Sequence, residues 1–318
     1  MNGWIILDKP IGLGSTQAVA AVKRVCRERG LGKVKVGHGG TLDPLASGVL
    51  PIALGEATKL CGRMLDASKV YDFTIAFGTE TAGLDAEGEV VATSDVRPAL
   101  ADIEAVLPRF TGPIEQVPPA FSAIKVDGQR AYDLARKGAA VDMKARAVII
   151  YNLRHAGLDP ASIRSAREEW TPDQGRGDEM AEGLNSITLT AHVSKGTYIR
   201  SLARDIARAA GTVGHVAMLR RTRAGPFTLD QAISLDKLNA FGQGAAQSDV
   251  ILPLEAGLVD IPALDLSPEA AGAIRQGRVW TGESAHDGLY WGRDSEKRPV
   301  ALIEALAGRL KVVRGFNL

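Results

Sequence analysis

The chain has 318 residues, of which 45% are hydrophobic and 24% are charged. This composition is typical of a globular protein and excludes disordered, collagen-like and low-complexity chains. The formal net charge is +1, from 38 basic and 37 acidic residues, so overall charge does not indicate a polyanionic partner. Domains usually hold about 100–200 residues, which predicts one large domain and a small one.

Two isolated cysteines and the first residues bear on the cellular location. Cys26 and Cys61 form no CxxC pair and no disulfide framework, which is typical of a reducing compartment. The first residues lack the basic segment and cleavage pattern of a signal peptide. No apolar run reaches the roughly 20 residues that span a bilayer. We therefore expect a cytoplasmic monomer with no membrane contact.

The spacing of apolar residues predicts strands and helices that alternate without a regular βαβ rhythm. Strands are predicted at 4–8, 71–78, 148–151 and 187–193, with a further apolar stretch at 48–54. Helices are predicted at 15–27 with Ser15 as the N-cap, at 99–107, 131–137 and 197–210, and from Ser234. This pattern favours an α+β fold with a mixed, mostly antiparallel sheet.

The chain is predicted to hold two domains and one insertion. Residues 1–240 form the large domain, and 245–318 form a small module with strands at 300–303 and 310–313. Residues 157–183 carry seven acids against three arginines and show no clear period, which indicates a surface insertion. Because long surface loops cost little closure entropy, we expect this insertion to be neutral for function.

Basic residues concentrate in two short blocks of this otherwise balanced chain. Residues 23–35 hold six lysines and arginines, and residues 195–223 hold seven, each block with a single acid. In the second block Arg200, Arg204 and Arg208 recur every four residues and share one flank of the predicted helix. Such blocks fit either a polyanion-binding face or two solvated helix faces.

A glycine-rich loop at 37–51 carries the first candidate for chemistry. Its glycines allow a tight turn with the backbone close to a ligand. Asp43 precedes Pro44, and a proline holds the residue before it in extended geometry. The sequence therefore predicts an acid presented rigidly at a loop apex, although a lone Asp-Pro pair is more often only a turn.

Six motifs, in order, resemble those of the TruB pseudouridine synthases. They are Leu7-Asp8-Lys9-Pro10, the loop at 37–51, Gly55-Glu56-Ala57-Thr58-Lys59, the segment at 118–125, the segment at 194–202 and Leu219-Arg220-Arg221-Thr222. Gly39 stands where many relatives have Thr or Ala, and residues 141–147 follow the family pattern loosely. The resemblance implies the pseudouridine synthase fold for 1–240 and a PUA-like RNA-binding domain for 245–318.

The resemblance implies an enzyme that isomerises uridine to pseudouridine at position 55 in the T-arm of tRNA. The reaction cuts the N1–C1′ bond, rotates the uracil and rejoins it through C5, after the stacked base has been flipped into a pocket. One alternative is a non-catalytic RNA-binding protein or tRNA-folding chaperone of the same fold. Another is a hydrolase that uses Asp43 with His38, which the two basic blocks fit poorly.

The matching positions imply three catalytic residues. Asp43 would act either as a nucleophile or as a base toward the ribose, and the sequence leaves both roles open. Arg200 would pair with this carboxylate and keep it ionised. Tyr71 would stack on the flipped base. On this basis we expect Arg200→Ala to lower activity with little loss of stability.

The resemblance also implies residues that bind the RNA. His38 would enter the space that the base leaves, and Tyr198 and Leu219 would line the pocket. Phosphate contacts would come from Lys59, Arg220 and Arg221, and such contacts position RNA without reading its sequence.

No motif in the sequence indicates a cofactor or a metal. The five histidines at 38, 155, 192, 215 and 286 lack the spacing of metal ligands. Neither GxxxxGK[ST] nor a convincing GxGxxG occurs. We therefore expect an isomerisation that needs no cofactor and no metal.

Overall fold

The computed structural model describes residues 1–122, 124–126, 128–138, 141–156, 183–244, 246, 250–282 and 285–318. Apart from Gly183, the insertion predicted at 157–183 lies outside the described residues. Within them, no helix is both long and apolar enough to cross a membrane.

The strands are, in chain order, β1 (Gly3–Lys9), β2 (Val36–His38), β3 (Ala46–Leu54), β4 (Lys69–Phe77), β5 (Thr79–Thr81), β6 (Val90–Thr93), β7 (Gly112–Gln116), β8 (Lys125–Val126), β9 (Gln129–Arg130), β10 (Arg146–His155), β11 (Ser186–Val193), β12 (Gly214–Ala224), β13 (Phe227–Thr228), β14 (Ala263–Asp265), β15 (Trp280–Thr281), β16 (Gly288–Arg293), β17 (Pro299–Leu306) and β18 (Arg309–Gly315).

The α-helices are α1 (Ser15–Glu28), α2 (Cys61–Asp66), α3 (Leu100–Val106), α4 (Ala131–Arg136), α5 (Ile199–Ala209), α6 (Leu235–Gly242) and α7 (Pro268–Arg275). Short 3-10 helices lie at Gly55–Leu60, Leu107–Phe110, Leu229–Gln231 and Leu254–Gly257. The chain divides into two compact units, one of residues 1–66 with 223–318 and the other of residues 67–222.

The first unit is built around the pairing of β1 with β3. These antiparallel strands run in register from Gly3 opposite Leu54 to Lys9 opposite Gly48, and β2 pairs with the other edge of β3. Both central strands are buried almost throughout, because their apolar side chains face cores on both sides. Trp4 is fully buried, stacks 5.2 Å from Phe227 and donates its indole N–H to the Leu254 carbonyl.

The C-terminal residues of this unit form a separate five-stranded sheet, in the order β14-β16-β17-β18-β15. Only β14 against β16 is parallel among the registers described for it. Helix α7 packs on this sheet and begins at a Ser267 cap whose hydroxyl accepts the amide of Ala270. This β-rich part matches the small module predicted from the sequence. Its assignment as a PUA-like domain, and the boundary near 240, stay predictions.

The second unit is an antiparallel sheet covered by one amphipathic helix. Strand β11 pairs with β4 on one side and with β10 on the other, and β10 continues to β7. Helix α5 lies on this sheet, with Leu202 and Ile206 in a core that includes Phe73 and Leu189. The α+β class with a mixed, mostly antiparallel sheet is therefore confirmed.

One long strand was not predicted. Strand β12 spans eleven residues and contains Leu219-Arg220-Arg221-Thr222. Its buried and half-buried positions do not alternate regularly, so it lacks the period-2 signal of a half-buried strand.

Candidate active site

The loop that carries Asp43 connects β2 to β3, and hydrogen bonds hold it on both sides of the acid. The Leu42 amide donates to the Ser15 hydroxyl at 2.8 Å, and that hydroxyl donates to the Leu42 carbonyl at 2.9 Å. After the acid, the Pro44 carbonyl accepts the amide of Gly12 at 2.8 Å. Asp43 itself is half-buried, and its carbonyl accepts the Ala46 amide. The backbone therefore presents this carboxylate from a fixed position.

Ser15 does not cap α1, so that part of the helix prediction is wrong. The N-cap position belongs to Gly14, whose amide donates to the Gln17 side chain. Ser15 is buried, and its hydroxyl makes the two bonds to Leu42 described above. The Ser15 hydroxyl thus bonds to a loop 27 residues away, and it does not cap the helix as the local pattern predicts.

Lys9 is a buried cation beside this loop that the sequence left without a role. It has no exposed surface, and its ammonium donates to the carbonyls of Pro10 at 2.9 Å, Leu13 at 2.7 Å and Pro44 at 3.2 Å. A lysine is rarely buried unless its donors are satisfied, and three carbonyls match its three N–H groups. Lys9 therefore ties the end of β1 to the residue after Asp43.

His38 and Gly39 begin the same loop. His38 is half-buried at the end of β2, and its Nδ1 accepts the Gly40 amide at 3.4 Å. Gly39 is buried, and a Cβ at this position would lie 2.6 Å from the Cβ of Met64. The glycine that departs from the family pattern is thus matched by a close neighbour on α2.

Lys59 lies in the same unit but is engaged with other groups of the protein. Its ammonium pairs with Glu56 at 2.7 Å and donates to the Gly315 carbonyl at 2.9 Å. Burial opposes ionisation of Glu56, but hydrogen bonds from Lys59 and the Asn317 amide outweigh it and lower the pKa of this carboxyl. These contacts favour a structural tie to the C-terminal strand, and the phosphate contact expected of Lys59 stays a prediction.

Arg200 lies at the start of α5 in the second unit and is buried, with only 6% of its surface exposed. Its Nη1 donates to the Gly83 carbonyl at 2.8 Å and to Asp85 at 3.3 Å, and its Nη2 donates to the Phe121 carbonyl at 2.9 Å. A buried guanidinium needs such partners, and its truncation would leave Asp85 without this one. Because Arg200 is buried and paired, the structure leads us to expect that Arg200→Ala costs stability as well as activity, contrary to the expectation from the sequence.

Asp85 is a residue of this site that the sequence analysis missed. It lies in the connection between β5 and β6, and the pattern there signals only a turn. Nothing in local spacing links it to Arg200, which is 115 residues away. The one available signal is an acid in a glycine-containing turn, which is too common to identify a partner.

Four other predicted residues also lie in the second unit. Tyr71 and Leu219 are half-buried and pack against the same core as Ile199 of α5. Tyr198 precedes α5, and its amide donates to the Gln116 side chain at 2.8 Å. Arg220 is half-buried. Its neighbour Arg221 is only 1% exposed, which does not suit the phosphate contact predicted for it.

The row of arginines on α5 makes contacts within the protein rather than a bare basic face. Arg204 pairs with Asp205 at 2.8 Å, and Arg208 makes two hydrogen bonds to Glu80. Together with the Arg200–Asp85 pair, these contacts account for each member of the row. The arginines of this row therefore fit neither interpretation of the second basic block, a free polyanion-binding face or a solvated helix face.

Within the described ranges, no group of three or more histidines, cysteines or acids could hold a metal ion.

Two family models match the chain. Residues 27–199 match the TruB family pseudouridylate synthase N-terminal domain. The chain belongs to the TruB family. Residues 200–259 match the tRNA pseudouridylate synthase B C-terminal domain. TruB proteins are pseudouridine synthases, so the chain is an enzyme, an isomerase.

Similar proteins agree with membership of the TruB family. A protein of Novosphingobium aromaticivorans named tRNA pseudouridine synthase B is 65% identical, over 100% of this chain and 98% of its own length. One of the same name from Zymomonas mobilis is 52% identical over 100% and 96%. A chain in a Cbf5-Nop10-Gar1 complex is 26% identical with a TM-score of 0.67, covering 99% of this chain and 84% of its own. A chain of an H/ACA RNP bound to substrate RNA shares the fold at 24% identity and a TM-score of 0.69, over 99% and 85%.

The residues that resemble TruB site positions are divided between the two units. The first unit carries Asp43, His38 and Lys59, and the second carries Tyr71, Tyr198, Arg200, Leu219 and Arg220. In the first unit, His38 and Asp43 lie at the β2–β3 loop and Lys59 lies in the 3-10 helix at Gly55–Leu60. In the second unit, the residues lie on β4, on β12 and at the start of α5.

Proposed function

We propose that this enzyme converts uridine 55 in the T-arm of tRNA to pseudouridine, with Asp43 as the essential acid. The observation that supports this most is the fixed loop around Asp43, since catalysis depends on holding a reacting group in position. Hydrogen bonds on both sides of the acid restrict its backbone.

The chemistry is a glycosidic exchange within one nucleotide. The N1–C1′ bond breaks, the uracil rotates while it stays bound, and C5 forms the new bond to C1′ as its proton leaves. Asp43 serves this exchange as a nucleophile or as a base toward the ribose, and both roles require an ionised carboxylate. Arg200 is the proposed charge partner of this carboxylate.

RNA recognition follows from the need to expose a stacked base. The target uridine is flipped out, which costs a few kcal/mol of stacking and is offset by contacts in the pocket. Tyr71 stacks on the flipped base and His38 fills the vacated space, while Tyr198 and Leu219 line the pocket. The T-arm is recognised mainly by its shape and by phosphate contacts, among which we place Arg220.

The C-terminal sheet is proposed to be a PUA-like RNA-binding domain of residues 245–318, after a catalytic domain of 1–240. We propose that the enzyme acts as a cytoplasmic monomer and without a cofactor.

Release of tritium from uracil C5 tests the proposed function directly. The protein would be incubated, without added metal or cofactor, with a T-arm stem-loop tritiated at C5. We expect release by the wild type and none by Asp43→Asn, while both proteins bind the RNA with similar affinity. Tight, salt-sensitive binding without release by the wild type would indicate an RNA-folding role or another target uridine.

A further inference from the structure

The segment between β5 and β6 is fastened to α5 at two points that lie two helical turns apart. In β5, just before this segment, Glu80 accepts one hydrogen bond from Arg208 Nη2 at 2.7 Å and another from Arg208 Nε at 3.1 Å. Further along, Gly83 and Asp85 both accept from Arg200. The Glu80 carboxylate is buried although the Arg208 side chain is 55% exposed. A buried carboxylate needs such a partner, so this pair fixes the start of the segment.

Hydrogen bonds connect the residue after Glu80 to the turn that ends at Asp85. The Leu84 amide donates to the Thr81 carbonyl at 3.0 Å, and the Thr81 hydroxyl donates to the Asp85 carbonyl at 2.6 Å. On the far side, the Val216 amide donates to the Leu84 carbonyl at 3.0 Å. Thr81, the residue after Glu80, is thus bonded to Leu84 and Asp85 in the turn that contacts Arg200.

The backbone at the centre of this turn is strained. Leu84 has a φ of +60°, the left-handed region that bulky side chains rarely adopt, and its side chain is 5% exposed. Such strain persists only where the surroundings hold it in place. Here the strained residue lies between Gly83 and Asp85. Its conformation is what lets a carbonyl and a carboxylate meet the same nitrogen of Arg200.

We propose that Glu80 and Arg208 are a positioning pair for catalysis, which holds the 81–85 turn in the strained form that orients the Arg200 guanidinium. Neither residue touches the substrate in this proposal. Loss of the pair lets the turn relax, and Arg200 then loses the Gly83 and Asp85 contacts of its Nη1 while Nη2 keeps the Phe121 carbonyl. The inference rests on the proposed function only through the role given there to Arg200.

A double-mutant cycle on the tritium-release rate separates positioning from general stability. In single turnover at saturating enzyme, we expect Glu80→Gln to lower the rate constant about tenfold, with an unchanged Kd for the RNA. In an Asp85→Asn background, the same change should lower it less than about twofold, because the charged contact between the turn and Arg200 is already lost. Arg208→Lys keeps the charge but loses the two-pronged contact and should resemble Glu80→Gln. If Glu80→Gln folds poorly, this milder variant carries the test.

Asp205→Asn is the matched control, since it removes an ion pair on the same helix that does not touch the turn, and its rate should equal that of the wild type. Equal losses in both backgrounds, or no loss, would overturn the proposal. Amide exchange gives a readout independent of activity, in which Leu84 and Val216 should exchange faster in Glu80→Gln but not in Asp205→Asn. Unchanged exchange would also overturn it. If Glu80→Gln changes the amide exchange as expected but the wild type releases no tritium, only the proposed function would be refuted.

Discussion

The loop around Asp43 and the turn around Arg200 are both fixed, but different kinds of contact fix them. The neutral Ser15 hydroxyl holds the Leu42 side of the Asp43 loop. On the other side, the Lys9 ammonium donates to the carbonyls of Leu13 and Pro44, which are neutral acceptors. At the Arg200 turn, two arginines of α5 pair with two acids of one connection. The first arrangement depends on neutral acceptors and on contacts up to 35 residues apart in the chain, and the second depends on charges brought together over more than a hundred residues.

This difference has an energetic consequence. A neutral hydrogen bond contributes about 0.5–1.5 kcal/mol net, whereas breaking a buried ion pair costs about 3–5 kcal/mol because one charge stays behind. The Asp43 loop should therefore tolerate single changes, while the Arg200 turn should fail when one partner is removed.

The largest effect is expected from Arg200→Ala. It should abolish most of the activity and destabilise the protein by about 3–5 kcal/mol, because Asp85 loses a partner inside the protein. Urea unfolding and single-turnover tritium release would measure the two losses. Arg200→Lys, which keeps the charge, should recover part of the stability but little activity. A stable, inactive Arg200→Ala protein would refute the view that charge pairing holds this turn.

Asp85→Asn should have a smaller effect on the fold and a clear one on the rate. The amide still accepts a hydrogen bond from Arg200, but it no longer offsets the charge. We expect the single-turnover rate constant to fall about 10- to 100-fold through misplacement of the guanidinium. Asp205→Asn, which removes a neighbouring acid, is the control. Equal rates in Asp85→Asn and wild type would mean that the turn does not set the direction of Arg200.

Ser15→Ala tests the other side of the comparison. Two bonds to the Leu42 backbone are lost at a buried site, so we expect a loss of about 1–3 kcal/mol in stability. The loss should be the same at low and high salt, since no charge is involved. Ser234→Ala, which removes the cap of α6, gives a matched hydroxyl loss of about 1 kcal/mol. A salt-dependent loss in Ser15→Ala would show that charges also hold the Asp43 loop.

The smallest effect concerns a second set of ion pairs, around Asp294 in the C-terminal sheet. Burial opposes ionisation of Asp294, but the Arg298 amide and the side chains of Arg275 and Arg298 outweigh it and lower its pKa to about 2. A lowered pKa stabilises the folded state above the unfolded value of about 4, and this contribution is lost as the pH falls from about 4 to about 2. Asp294→Asn should therefore flatten the decline of Tm over that range. A decline as steep as in the wild type would assign it to other groups.

Local signals predicted one of the two regions well and the other poorly. Glycines and an Asp-Pro pair within a few residues predicted a turn that presents an acid. The Ser15 and Lys9 contacts that hold this loop come from 27 and 35 residues away and could not be predicted. The described partners of Arg200 are two carbonyls and one acid from two distant segments, and no spacing rule connects Glu80 or Asp85 to helix α5. Strand β12 was missed for a related reason, because its side chains do not alternate regularly between buried and exposed.

Ser15 shows how a correct local rule can give a wrong detail. A serine at the start of an apolar period is a good N-cap, and α1 does begin there. The hydroxyl instead joins a loop that only the folded chain brings near. Similarly, the position of Arg200 on α5 was predicted correctly, but its burial was not, since helical spacing says nothing about what covers a flank.

The first unit is assembled from the two ends of the chain, and this has a consequence during synthesis. The amide and carbonyl of Trp4 bond to Leu252, and its ring packs on Phe227. Residues 67–222 must be translated before these partners exist, which takes about 8–30 s at about 5–20 residues per second. For that time Trp4 lacks the later partners that bury it in the folded protein, although β3 is already available to pair with its strand. We therefore expect the nascent chain to be most prone to aggregation at this strand until the last residues emerge.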